Sequence, residues 1–264
     1  MLEQNLHCHS TFDDGNNSAE EMVLAAEAAG LRSIGVSLHC PIEGEDWCGS
    51  LRDEPRFIAE MRRLREKYAG RIEVWCGLEY DLRSARRSVP PYDYIIGSCH
   101  DLGGFAIDFS QEIAEELIES FGGPIPAAQA YYEQVSRLAD FEEISIVGHF
   151  DLLTKYDERK PLYPTASKEY RDAAFAAMET LHAAGKIFEI NTGAISRGYR
   201  TTPYPEPALL RHLKSLGGRI CICSDAHAAD AITCGFDEAE ALAARCGFTE
   251  FWEFSAGGFA PVSF

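Results

Sequence analysis

The chain is poor in positive charge, has no long apolar run and contains no paired-cysteine metal motif. Its 24 Lys and Arg face 42 Asp and Glu, for a formal net charge of −18. Binding a nucleic-acid backbone needs clustered Lys and Arg, so nucleic acid is excluded as the expected partner. A small-molecule phosphate ester is not excluded, because bound divalent cations can reverse the local field. An acidic shell would also tolerate a substrate carrying positive groups. No apolar stretch approaches the roughly 18 residues of a membrane helix, so no membrane partner is expected. The start, MLEQNLHCH, lacks a basic segment followed by an apolar one, and a cytoplasmic location is expected. The nine cysteines form no CxxC pair, and Cys76, Cys99, Cys221 and Cys223 stand inside apolar runs. They read as buried reduced thiols rather than as disulfides or a zinc ribbon.

What the chain does have is an alternation of apolar, β-branched runs with helical patterns. Strands are expected near 4–9, 33–39, 72–79, 93–99, 144–149, 186–191 and 219–224, with a short further one at 250–254. Helices are expected between them, near 54–68, 110–121, 126–140, 167–184, 205–216 and 237–246. The first, SAEEMVLAAEAAG, begins with Ser18 as N-cap and ends at Gly30. Seven or eight βα units in series imply a parallel sheet, and their number favours a closed α/β barrel. The 264 residues match the roughly 250 of one such barrel, so a single domain over 1–264 is expected. Three loops, 40–54, 150–166 and 192–205, are longer than usual and leave the carboxyl ends of strands.

Six of the eight histidines stand where those apolar runs end: His7, His9, His39, His100, His149 and His227. Imidazole is the commonest metal ligand, and the carboxyl ends of barrel strands converge on one rim. His7 and His9 are two apart and share a strand face, as do Asp225 and His227. Glu79 and Asp225 are carboxylates at the ends of apolar runs, where an unpaired charge is costly. Asp14 is preferred over Asp13 in the turn-forming DDG. The set offers nine N and O ligands without sulfur, enough for two or three ions with open positions, which means catalysis. Zn, Mn or Fe suits the mixture. His182 and His212 lie in helical patterns and read as ordinary surface residues. Arg197 and Arg200, in the loop after the sixth strand, offer planar forks that match phosphate, with Lys155 and Arg159 as weaker candidates. Glu43, Glu45 and Asp46 beside Trp47 read as an exposed acidic run that could also face a cationic group.

HCHSTFDDG, SLH, GLEY, GSCH, GHFD and SDAH, in this order from residue 7 to 227, resemble the successive metal-binding motifs of the polymerase and histidinol phosphatase (PHP) superfamily. Within it, EINTGAISRGYRTTPYP and VGHFDLLTKYD resemble the monofunctional histidinol-phosphate phosphatases. The resemblance implies a distorted (β/α)7 barrel with a trinuclear site at the carboxyl ends of the strands. His7, His9, Glu79 and Asp225 would hold the first ion. Glu79 would bridge to a second, held also by His100 and His149, and Asp14, His39 and His227 would hold the third. The implied activity is hydrolysis of L-histidinol phosphate, in histidine biosynthesis, by a hydroxide bridging two ions. Glu79, Asp225 and His227 are the expected catalytic residues, with Asp225 or a rim histidine relaying a proton, and Arg197 and Arg200 the expected phosphate contacts. The alternatives are a phosphoesterase of the same superfamily acting on nucleotides or other small monoesters, and an amidohydrolase-like deacylase. The deacylase would want a bridging lysine where this chain has Glu79 and His100. A non-catalytic metal-binding module is the remaining alternative.

Overall fold

The computed structural model describes residues 2–42, 44–45, 47–51, 53–84 and 91–263. Eleven strands follow in chain order: β1 (Gln4–Asn5), β2 (Ser33–His39), β3 (Glu73–Asp81), β4 (Tyr94–Ser98), β5 (Asp101–Leu102), β6 (Phe105–Ala106), β7 (Ile146–Val147), β8 (Ile187–Asn191), β9 (Arg219–Cys223), β10 (Glu250–Ser255) and β11 (Gly258–Ser263). Seven of them form one parallel sheet in the order β1-β2-β3-β4-β7-β8-β9. The two edges meet where Cys8 bridges Ala226 and the His9 N–H donates to the Ala226 carbonyl at 2.9 Å. The sheet thereby closes into the expected distorted seven-stranded barrel, with helices outside.

Local chemistry explains the elements. The helix Ala19–Ala28 starts at Ser18, whose hydroxyl accepts from the Glu21 N–H at 3.2 Å while the Glu21 carboxylate accepts from the Ser18 N–H at 2.7 Å. Strands β2 to β4 are buried along almost their whole length, as continuous apolar runs in a parallel sheet should be. Inside the barrel the Tyr94 hydroxyl donates to the Leu6 carbonyl, and a Cβ on Gly35 or Gly77 would overlap the Tyr94 ring. Two glycines on neighbouring strands thus make room for one aromatic ring.

The expected strand at 250–254 exists, but it is not a barrel strand. It pairs antiparallel with β11, and Trp252, Phe254 and Phe259 pack on Leu6, Trp75 and Tyr94. Gln4 at the start of β1 donates to the Phe254 carbonyl at 2.8 Å and accepts from its N–H at 2.8 Å. The hairpin therefore covers the amino end of the barrel, opposite the rim of histidines. A second hairpin, β5–β6, was not expected. Its two-residue loop is Gly103-Gly104, both at positive φ, as a tight hairpin turn requires. All nine cysteines are free and eight are buried. Among the described residues, no helix is long and apolar enough to cross a membrane.

Candidate metal centre

The barrel delivers its polar side chains to one rim. His7 and His9 follow β1, His39 ends β2, Glu79 lies in β3, His100 and His149 follow β4 and β7, and Asp225 and His227 follow β9. They gather into three groups whose ligand atoms lie within 4.8 Å of one another: His7, His9 and Glu79; Glu79, His100 and His149; and His9, Asp14, His39 and His227. Glu79 Oε2 lies 3.2 Å from His7 Nε2 and 3.4 Å from His9 Nε2. Its other oxygen lies 3.0 Å from His149 Nε2 and 3.5 Å from His100 Nε2. One carboxylate thus faces two groups, and its Oε2 also lies 2.9 Å from His39 Nδ1 of the third. Asp225 Oδ1 joins the first, 3.7 Å from His7 Nε2 and 3.5 Å from His9 Nε2. Asp14 lies between His39 Nε2, at 3.5 Å, and His227 Nε2, at 3.3 Å.

The donor set fits divalent cations on an observation of its own. His7 Nε2, His9 Nε2 and Glu79 Oε2 are buried, converge on one another and lack an aligned hydrogen bond, although His39 Nδ1 lies 2.9 Å from the Glu79 oxygen. Native interiors rarely leave such atoms unpaired, and a shared cation would satisfy all three. The opposite ring nitrogens are anchored by carboxylates. His7 Nδ1 meets Glu189 Oε1 at 2.7 Å, His9 Nδ1 meets Asp13 Oδ2 at 3.0 Å, and His100 Nδ1 meets Asp81 Oδ2 at 2.7 Å. Such partners fix the tautomer and aim the free nitrogen. Burial alone would lower the basicity of these rings, but the surrounding carboxylates outweigh it. Glu189, Glu79 and Asp225 raise His7 well above its ordinary value, and Glu79 with Asp81 raises His100 to about 10. Conversely, burial would raise Glu79 and Asp225, yet the histidines, together with Arg197 beside Asp225, hold both well below the usual carboxylate range. The rim therefore binds positive charge, as protons or as metal. Asp225 has φ 48°, the positive value that glycine usually takes, and is the one such non-glycine residue among those described.

Above the histidines opens a cavity of about 420 Å³, lined among others by Asp14, His39, Glu79, His100, Asp108, Lys155, Arg197 and His227. Arg197 follows the short helix Gly193–Ser196 after β8. Its Nη1 donates to the Asp225 carbonyl at 2.9 Å and lies 3.0 Å from His227 Nδ1, while Nη2 donates to Asp225 Oδ2 at 3.1 Å. The guanidinium is thus pinned beside two candidate ligands with the cavity in front of it.

The model of the PHP domain family matches residues 5–193. The chain belongs to that family. A Schizosaccharomyces pombe protein named "Probable histidinol-phosphatase" is 26% identical over 204 residues, 73% of this chain and 66% of the relative. The chain thus spans just under two thirds of that relative. A Deinococcus radiodurans protein of the same name is 28% identical over 237 residues, covering 84% of this chain and 85% of the relative. Among solved structures, the histidinol phosphate phosphatase of Lactococcus lactis, complexed with zinc, L-histidinol and phosphate, superposes with a TM-score of 0.75 at 24% identity. It covers 98% of this chain and 100% of its own, a likeness that shows the fold.

Not every residue expected at the rim of this PHP chain is there. Arg200 does not line the cavity: its guanidinium donates to Thr154 Oγ1 at 2.5 Å, the Thr154 carbonyl at 3.2 Å and the Thr202 carbonyl at 3.2 Å. It stacks 4.5 Å from the Tyr204 ring centroid. Its donors are spent tying the loop after β7 to the loop after β8. Arg159 turns to the Gly198 carbonyl at 2.7 Å, whereas Lys155 does line the cavity. His212 meets Glu179 at the surface at 3.0 Å. Glu45 lines the cavity mouth, where it accepts from Trp47 Nε1 at 3.0 Å and from Arg83, so it is not a solvated run. Glu43 and Asp46 lie outside the described residues. Sequence reasoning missed Glu189 and Asp81. A signal for both was present: Glu189 is a charge within the apolar run KIFEI, and Asp81 stands two residues beyond Glu79 on the same strand.

Proposed function

We propose that the chain is a cytoplasmic, metal-dependent phosphomonoesterase that hydrolyses L-histidinol phosphate to L-histidinol and phosphate, and that residues 1–264 form one catalytic domain. The observation that carries this reading is the convergence of three buried ligand atoms that lack an aligned hydrogen bond beneath a cavity bordered by a pinned arginine. The names of the curated relatives support the choice of substrate. Three divalent ions, of Zn, Mn or Fe, are proposed. His7, His9, Glu79 and Asp225 would hold one; Glu79, His100 and His149 a second; and Asp14, His39 and His227 a third. Such ions lower the pKa of bound water from about 15.7 to about 7 and so supply a nucleophile near neutral pH.

The chain's own residues do the rest. Glu189, Asp13 and Asp81 hold the histidine rings so that their free nitrogens aim inward. Arg197 presents a fixed fork to the phosphate oxygens, stabilising charge that grows in the transition state. Asp225, hydrogen-bonded to that arginine, would relay the proton of the reaction toward the leaving oxygen. Burial of His7, His9 and Glu79 excludes bulk water from the floor of the site. Steady-state assays of the purified protein with Mn or Zn against a panel of phosphate monoesters test the proposal. L-histidinol phosphate is expected to be the best substrate by kcat/KM. Equal or better turnover of nucleotides or sugar phosphates would overturn the assignment.

A further inference from the structure

The phosphate end of the cavity is accounted for by the metal centre and Arg197, but the remaining wall has a chemistry of its own. Asp108 and Phe109 follow the β5–β6 hairpin and both line the cavity. Phe109 is 78% exposed, more than any other large apolar side chain among the described residues. The Asp108 carbonyl accepts from Lys155 Nζ at 2.7 Å and from the Tyr156 hydroxyl at 2.8 Å, and its Oδ2 accepts from the same Lys155 at 3.2 Å. Lys155 is itself held 4.6 Å from the centroid of the Tyr199 ring. Asp108 Oδ1 has no hydrogen-bond partner among the described residues. Of the other carboxylates that line the cavity, Asp14, Glu79, Asp81 and Asp225 face histidines, Glu45 is taken by Trp47 and Arg83, and Asp101 accepts from the Gly104 N–H within the β5–β6 turn.

We propose that Asp108 and Phe109 read the part of the substrate that is not phosphate: the carboxylate takes an ammonium on the carbon next to the phosphorylated one, and the phenyl ring covers a flat heterocycle. The inference rests on the phosphatase reading above and deepens it to a substrate class, the phosphate esters of ring-bearing amino alcohols. In such a molecule the ammonium lies close to the ester oxygen. A phosphate seated at Arg197 would leave the ammonium inside the same cavity, which Asp108 also lines. A carboxylate with one oxygen ion-paired to Lys155 and the other free is fixed in direction and keeps one acceptor open to the cavity, where it offers a charge-assisted hydrogen bond. A phenyl ring at the mouth gains by stacking on an imidazole and more by facing an imidazolium. A site built around a polar substrate group rejects the analogue that lacks it, because the site's own group is left unpaired. Lys155 is a positioning residue here.

The test compares kcat/KM for L-histidinol phosphate and its des-amino analogue, 3-(imidazol-4-yl)propyl phosphate, on the metal-loaded enzyme and on Asp108→Asn. The ratio of the two constants is expected to fall at least about 20-fold in the variant. Being a ratio within one preparation, it does not depend on how much of the variant is folded. Lys155→Met is expected to raise KM for L-histidinol phosphate more than it lowers kcat. Phe109→Ala is expected to lower kcat/KM for both imidazole esters relative to phosphoethanolamine. A ratio in Asp108→Asn within twofold of wild type overturns the proposal, however far each constant drops. If wild type fails to hydrolyse L-histidinol phosphate, the proposed substrate is wrong, and the pair phosphoethanolamine and ethyl phosphate decides the role of Asp108 by the same ratio.

Discussion

His7 Nδ1 lies 2.7 Å from Glu189 Oε1, and neither side chain is exposed. The contact makes Nδ1 a donor and points Nε2 at Glu79, where it can bind a cation once its proton is displaced. Glu189 also accepts from the His149 N–H and from Asn191 Nδ2, each at 2.9 Å, so one carboxylate in β8 orients residues that follow β1 and β7. Outer carboxylates of this kind are worth roughly 10–100-fold in metal affinity. Glu189→Gln is expected to weaken Zn or Mn binding by about that factor, measured by competition with a chromogenic chelator. Unchanged affinity would mean that the His7 ring is held by packing alone.

Metal uptake should release protons. With His100 raised to about 10 and His7 raised as well, the ion-free site is protonated at pH 7, and a cation must displace those protons. Calorimetric titrations of Zn into stripped protein at pH 7, in buffers of different ionisation heat, are expected to show net proton release. The same shift sets the stability of the stripped protein. A raised folded pKa contributes stability that is fully present below the ordinary value of 6.5 and is lost as pH rises through about 10. The Tm of stripped protein is therefore expected to fall between pH 6.5 and 10, while that of the loaded protein stays flatter.

The strand-end histidines were legible because two periodicities coincide: the βα alternation sets where strands end, and the candidate ligands stand at those ends. Glu189 was not legible in the same way. It lies inside its strand rather than at the end, and its pairing with His7 depends on the closure of the barrel, which no local pattern records. Arg200 misled for the converse reason. Its loop does border the cavity, but the direction of a side chain in a loop is set by contacts such as Thr154, 46 residues away. The C-terminal hairpin read as a strand from its composition, and only the closure between β1 and β9 shows why it could not join the sheet.

Gly77→Ala tests the barrel interior. A methyl group there meets the Tyr94 ring, which cannot retreat without losing its bond to the Leu6 carbonyl. Overpacking of this sort costs about 1–3 kcal/mol, a Tm drop of roughly 2–10 °C. A neutral substitution would mean that Tyr94 has another place to go.

The two arginines should separate. Arg197→Ala is expected to lower kcat/KM for L-histidinol phosphate by about 10²–10³, as loss of a preorganised donor does, with partial recovery in Arg197→Lys. Arg200→Ala is expected to lose roughly 1.5–3 kcal/mol of stability with its charged hydrogen bonds to Thr154, and to lower kcat/KM less than tenfold. Thermal melts and steady-state kinetics on the three variants check both.

The rim of histidines is proposed to hold the ions that make the nucleophile. His9 belongs to two of the three ligand groups, so removing it should disturb both at once. The most direct measurement is elemental analysis of wild type and His9→Ala, paired with turnover of L-histidinol phosphate by the same samples. Three ions per wild-type chain are expected, with fewer in the variant and a loss of turnover of at least about 10³-fold. Turnover that persists while the metal content falls would mean that these ions do not make the nucleophile.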